Sequence, residues 1–199
     1  MRLLRLLSDL LRVSFFTVLI FAFDRPYLAV MTVLALLWHE GFHLLAFLRE
    51  RSAARPEARL CGLRLVPKRM LSYAAEGRIA AAGPLGGFIG AALCLMLAPL
   101  VKEYLLAFAL CHLFTSLSNL LPIEGYDGYR VLSSLAAARG SERGQTALRA
   151  LSFFFVGFLS LLSLCVLGIC GEGVFGAGVF LFTLFFSIPE QKYTIFENS

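Results

Sequence analysis

The sequence predicts an all-α membrane protein of about six transmembrane helices, and three observations lead there: composition, the spacing of apolar runs, and where the basic residues lie. Hydrophobic residues make up 59% of the chain and charged residues only 16%, against roughly a quarter charged in an average soluble domain. The mean hydropathy is +0.79. Apolar runs of roughly 20 residues, the length a helix needs to cross a hydrocarbon core, follow one another along the 199 residues. The basic residues fall in the segments between those runs, so the net charge of +5 reads as topological and no nucleic-acid partner is expected.

At the N-terminus, Arg2, Arg5, Asp9 and Arg12 recur at helical spacing among leucines, as in an interfacial helix or a snorkelling entry to a first span. No small-residue cleavage site follows, so the segment is expected to be retained. Spans are expected at about residues 5–23, 27–48, 79–100, 104–122, 150–170 and 173–189. Asp24-Arg25-Pro26, Lys102-Glu103 and Gly171-Glu172-Gly173 separate them, combining charge with turn formers or a high desolvation cost.

Residues 49–78 carry eight basic and three acidic side chains, whereas the turns on the opposite side have one basic residue between them. The positive-inside rule then puts residues 49–78 in the cytoplasm, together with both termini and a loop over residues 123–149. Within that first cytoplasmic segment, residues 59–66 alternate partly in polarity and end at Pro67. They read either as a short membrane-edge strand or as an irregular basic linker held near anionic lipid. Cys61, Cys94, Cys111, Cys165 and Cys170 form no Cys-x-x-Cys pair and read as small apolar fillers. The chain is expected to be a single membrane domain over residues 1–199, ending in a helical hairpin at about 150–189.

His39-Glu40-Gly41-Phe42-His43 lies inside an apolar helix, where i,i+4 spacing sets both imidazoles on one face, one turn apart, as a shared zinc ion requires. In zinc hydrolysis the histidines supply neutral nitrogen ligands, and the adjacent carboxylate, Glu40, takes a proton from the attacking water and passes it to the leaving amine. An ionisable group within a span costs about 2.5–3.5 kcal/mol on insertion scales, so three together are poorly explained as packing. A catalytic zinc needs a third protein ligand. Asp127 is the leading candidate, because Pro122, Gly125 and Gly128 break the chain after the fourth span and can fold its carboxylate back into the bundle. Glu124 is a rival that spacing alone does not exclude.

The pairing of His39-Glu-Gly-Phe-His43 with Asn119-Leu-Leu-Pro-Ile-Glu-Gly-Tyr-Asp127-Gly128 resembles the site-2 protease family of intramembrane metalloproteases. Ala80-Ala-Ala-Gly-Pro-Leu-Gly-Gly87 is similar to that family's Ala-Gly-Pro entry into a central span. The resemblance covers roughly the first two-thirds of the chain. It implies that Asp127 is the third zinc ligand, that a three-helix catalytic core occupies about residues 27–130, and that a membrane-anchored protein is cut on the cytoplasmic side. It also implies that the Asn119 amide holds the substrate backbone or polarises the scissile carbonyl, although an interhelical hydrogen bond is a close alternative.

The short chain looks most like the branch containing the stage IV sporulation protein FB proteases, which implies a bacterial cytoplasmic membrane and a role in sporulation. A membrane regulatory protein joins the substrate and the lipid bilayer as an expected partner. The chain departs from the family pattern at Gly125-Tyr126, where Pro-Leu is common, at Tyr129-Arg130, where Gly-Arg is common, and at Gly87, where asparagine is frequent.

His112 shares a helical face with Ser116 and Asn119 and reads as a structural hydrogen-bonding group more readily than as a cavity wall; it is not expected to bind zinc. Gly83, Gly86, Gly87 and Gly90 form small-x-x-x-small pairs suited to close helix packing. The rival function is a zinc-binding, non-proteolytic scaffold or metal carrier. Glu40 argues against it, and a carrier would offer further ligands along its path, where His112 stands alone.

Overall fold

The computed structural model describes residues 26–52, 54–59, 62–67, 70–99 and 102–170. In chain order the elements are α1 (Pro26–Arg49), the strands β1 (Ala54–Arg59) and β2 (Gly62–Pro67), α2 (Tyr73–Leu97), α3 (Lys102–Asn119), α4 (Asp127–Ala138) and α5 (Glu142–Cys170). Helices α1, α2 and α3 pack on one another, α4 lies against α2, and α5 lies against α4.

Local chemistry sets these boundaries. Pro26 opens α1, where its missing amide leaves no helical bond unmade. The helix closes in a Schellman turn, with Ser52 N–H donating to Phe47 O and Arg51 N–H to Leu48 O, and with Arg51 in the left-handed region at φ 48°. Helix α2 begins at Tyr73, earlier than the apolar run at residue 79, because the Ser72 hydroxyl caps it by accepting from Ala75 N–H and Glu76 favours the first turn.

Large apolar side chains cover the outside of the bundle, and polar ones share its interior with small and apolar residues such as Ala35, Phe47 and Ile79. Phe114 on α3 is 73% exposed while Ser116, two residues on, is fully buried. Leu37, Leu48, Met96, Leu110 and Phe153 also face outward, and His39, His43, His112, Thr115 and Asp127 face inward. Among the described residues, two helices, over Val30–Arg49 and Tyr73–Leu97, are long and apolar enough to cross a membrane. An apolar exterior around buried polar side chains is the arrangement that lipid favours, and the molecule is a membrane protein. Along the inner seam of α2, a Cβ at Gly86 would strike the Phe42 ring, one at Gly87 the Ser116 hydroxyl, and one at Gly90 the His112 ring. The glycines let α1 and α3 close on α2 with their ring and polar side chains turned inward.

Three expectations change. The loop over residues 123–149 contains α4 and the first turns of α5, so it is largely helical. Gly128 sits in the first turn of α4 instead of breaking a helix. Of the two readings of residues 59–66, the strand holds over Gly62–Pro67, but it is not alone: β1 and β2 pair antiparallel in the register Ala54↔Pro67 to Arg59↔Gly62, residues 60 and 61 lying outside the described residues. The upstream strand was hidden because Ala-Arg-Pro-Glu-Ala-Arg has little strand propensity, and pairing with β2 overrides it. The expected spans at 5–23 and 173–189, the N-terminal interfacial segment and the second arm of the C-terminal hairpin lie outside the described residues.

Candidate metal centre

Helix α1 presents His39 and His43 one turn apart, and both are buried, with their ring centroids 4.8 Å apart. Opposite them, Asp127 is the first residue of α4. Three local features bring it there. Gly125 turns the chain at φ 103°, a conformation that side chains disfavour. Tyr126 N–H closes the turn on Ile123 O. Gly128 lies so close to the Leu120 carbonyl that any Cβ would overlap it, which pins the start of α4 to the end of α3.

The result is a tight triangle. His39 Nε2 is 3.0 Å and His43 Nε2 is 2.9 Å from Asp127 Oδ2, and the two Nε2 atoms are 3.2 Å apart. His43 Nδ1 donates to Ile79 O at 2.7 Å, which fixes the ring and its tautomer. A neutral His43 held in this way turns a lone pair toward Oδ2. Facing lone pairs at such a distance call for a cation between them. Gly83 forms the wall behind, and a Cβ there would collide with Nε2 of both histidines. Among the described residues, His39, His43 and Asp127 are the group able to hold a metal ion.

The other carboxylate oxygen is engaged elsewhere: Arg130 Nη1 donates to Asp127 Oδ1 at 3.0 Å, i,i+3 along α4. Glu40 is half-buried beside His39 and lies within electrostatic reach of His43, Asp127 and Arg130. Glu124, the rival ligand, is exposed, and its backbone N–H donates to Ser152 Oγ of α5 at 2.8 Å. Asn119 Nδ2 donates to Thr115 O, one turn back in its own helix. His112 is buried against Phe108 and Trp38, and its Nδ1 has no hydrogen-bond partner among the described residues, so the structural bond expected of it is not made there through that atom. Trp38 instead anchors through Nε1 to Gly86 O at 2.8 Å.

With this geometry, a solved structure can be set beside the chain: a site-2 protease from Methanocaldococcus jannaschii, matched at a TM-score of 0.60 and 18% identity over 96% of this chain and 93% of that one. The chain has the site-2 protease fold. No family model and no curated protein sequence matches it.

Several residues around the site escape sequence reasoning. Arg130 carried a signal, since an Asp-x-x-Arg spacing in a helix puts the two side chains together. The Ile79 carbonyl carried none. Helix α5 holds the Asp127 segment through Ser152, through Gln145 bonded to both the side chain and the carbonyl of Ser133, and through Arg149 bonded to Tyr129. Burial and the nearby Glu124 charge push the Tyr129 phenol up, while Arg149 opposes them.

Proposed function

We propose that this protein is an intramembrane zinc metalloprotease of the site-2 protease family, hydrolysing a peptide bond in or near the transmembrane segment of a membrane-anchored protein. The observation that carries the reading is the His39, His43 and Asp127 triangle, with Glu40 beside it, buried in a bundle whose outer surface is apolar. The shared fold supports it. Two imidazoles and a carboxylate form a donor set suited to zinc with one position left open. Bonds of about 2.0–2.1 Å in a tetrahedron put ligand atoms about 3.3 Å apart, close to the 2.9–3.2 Å edges of the triangle.

When bound, zinc supplies a Lewis acid that makes a water nucleophilic at neutral pH and polarises a carbonyl. His39, His43 and Asp127 hold the ion. Glu40 accepts the proton of the attacking water and delivers it to the departing amide nitrogen. The Asn119 amide exchanges its bond to Thr115 for one to the substrate backbone. A helical substrate hides its carbonyls, so it must unwind first, and pairing with an edge of the β1–β2 hairpin offers those amides replacement bonds. Altering the hairpin while zinc is retained is then expected to slow cleavage, and unchanged cleavage would discard that part.

The proposal extends to a multi-pass protein with both termini and the hairpin in the cytoplasm of a bacterial membrane, and to a membrane regulatory partner. The stage IV sporulation protein FB-like branch is part of it and rests on the sequence alone. The test is cleavage of a panel of membrane-anchored substrates by the purified protein and by Glu40→Gln, with bound zinc quantified in both. Zinc in both and cleavage only by the native protein is the expected result. A well-folded native sample without zinc would overturn the reading, and cleavage surviving in Glu40→Gln would remove Glu40 from its role.

A further inference from the structure

We infer that Arg130 is a positioning residue that keeps Asp127 a one-oxygen ligand, and thereby keeps one coordination position of the metal open. The inference rests on the metalloprotease reading and adds a role for a side chain that is neither a ligand nor the base. A carboxylate has two oxygens and can grip an ion with either one or both. Here the choice is built into the first turn of α4, where Oδ2 faces the two histidines and Oδ1 accepts from Arg130 Nη1 at 3.0 Å. With Oδ1 committed, Asp127 cannot rotate to offer both oxygens without abandoning a charge-assisted bond in a desolvated setting, where such bonds are strongest.

The side chains of Arg130 and Asp127 are 13% and 8% exposed, so little water is at hand to replace the guanidinium. Among the described residues Arg130 Nε is buried without a partner, and the Asp127 bond is the one that holds the guanidinium. The backbone adds to the hold, because Arg130 N–H donates to Tyr126 O and places the residue within the turn that delivers Asp127.

Two effects of the guanidinium oppose each other, which makes the inference testable. As a positive charge near a dication it repels the metal, so its removal would tighten binding if charge were its only influence. As a fixed donor on Oδ1 it orients the ligand, and its removal then loosens binding and alters the coordination. Changes to groups that orient metal ligands typically cost 10–100-fold in affinity. Lysine keeps the charge but replaces the planar fork with a flexible point donor.

The experiment uses the purified full chain in detergent, as native protein, Arg130→Met and Arg130→Lys. Zinc affinity is measured by chelator competition, cobalt(II) replaces zinc for visible spectroscopy, and unfolding of the metal-free proteins is followed in parallel. Arg130→Met is expected to bind zinc about 10–100-fold more weakly, its cobalt spectrum moving from the intense tetrahedral form to the weaker five-coordinate one. Arg130→Lys is expected to lie between the two in affinity and to share the altered spectrum. Affinity equal to or tighter than native with an unchanged spectrum would overturn the inference. If Arg130→Met does not fold, Arg130→Lys decides alone, and native behaviour in both readouts would overturn it. A folded native protein that binds no zinc would instead remove the metalloprotease reading beneath it.

Discussion

The two sides of the candidate metal centre are built by different means. His39 and His43 are brought together by the pitch of one helix, and any chain that keeps α1 helical keeps them one turn apart. Asp127 lies 84 residues beyond His43 and arrives by tertiary contact: a left-handed glycine, a glycine seated against the Leu120 carbonyl, a guanidinium on Oδ1 and a serine of α5 behind the loop. The histidine side is local and hard to misplace. The aspartate side depends on several separate contacts and is where the site can be loosened without unfolding the bundle.

The largest effects should come from the three side chains of the triangle and should separate the two sides. His43→Ala and Asp127→Ala are each expected to weaken zinc binding by more than the 10–100-fold typical of outer groups. Only Asp127→Ala should also raise amide hydrogen exchange over residues 120–138. Equal exchange in both variants would dissolve the distinction.

A glycine pair sharpens it. Gly128→Ala drives a Cβ into the Leu120 carbonyl and is expected to destabilise the metal-free protein by about 1–3 kcal/mol, lowering zinc affinity with it. Gly41 lies between the histidines yet faces open space. Gly41→Ala should therefore stabilise α1 by about 0.5–1 kcal/mol and leave zinc affinity unchanged. Thermal unfolding in detergent reads both, and the same sign for the two would show that the aspartate side is not the tighter fit.

Smaller still is Ser152→Ala, which removes the acceptor for Glu124 N–H. It should cost about 1 kcal/mol and a few-fold in zinc affinity. Unchanged affinity would show that α5 does not help hold the Asp127 segment.

The least effect is expected at the exposed pair of Arg78 with Glu50, bonded at 2.7 and 3.2 Å. The hydrogen bond from Arg78 and its charge hold the Glu50 carboxyl below its ordinary 4.5. The contribution of the pair is thus present above pH 4.5 and fades as pH falls through the lowered value. Glu50→Gln should erase that slope in unfolding temperature against pH and leave zinc binding alone.

How much of this was legible follows the same divide. The histidine pair and Glu40 could be read from five consecutive residues, because helical periodicity is a local rule. Asp127 against Glu124 could not be settled by spacing, since three residues in a turn can point anywhere until Gly125 and Gly128 fix their directions. Apolar runs located the helices of the bundle but missed α4, whose residues are amphipathic and too few for a span. The start of α2 lay outside its apolar run because a serine cap, not hydropathy, decides it. The hairpin was half-visible: β2 has strand-forming residues, while β1 is a strand only because β2 lies beside it.

The separation of 84 residues between His43 and Asp127 also sets an order of events during synthesis. At about 5–20 residues per second, the aspartate follows the histidines out of the ribosome by roughly 4–17 s. Throughout that interval α1 carries two imidazoles without the carboxylate that faces them, and Ser152, which accepts from the backbone of the aspartate loop, has yet to appear. A nascent chain therefore cannot close the triangle of His39, His43 and Asp127 until α4 has emerged, by which time α1 and α2 can settle into lipid.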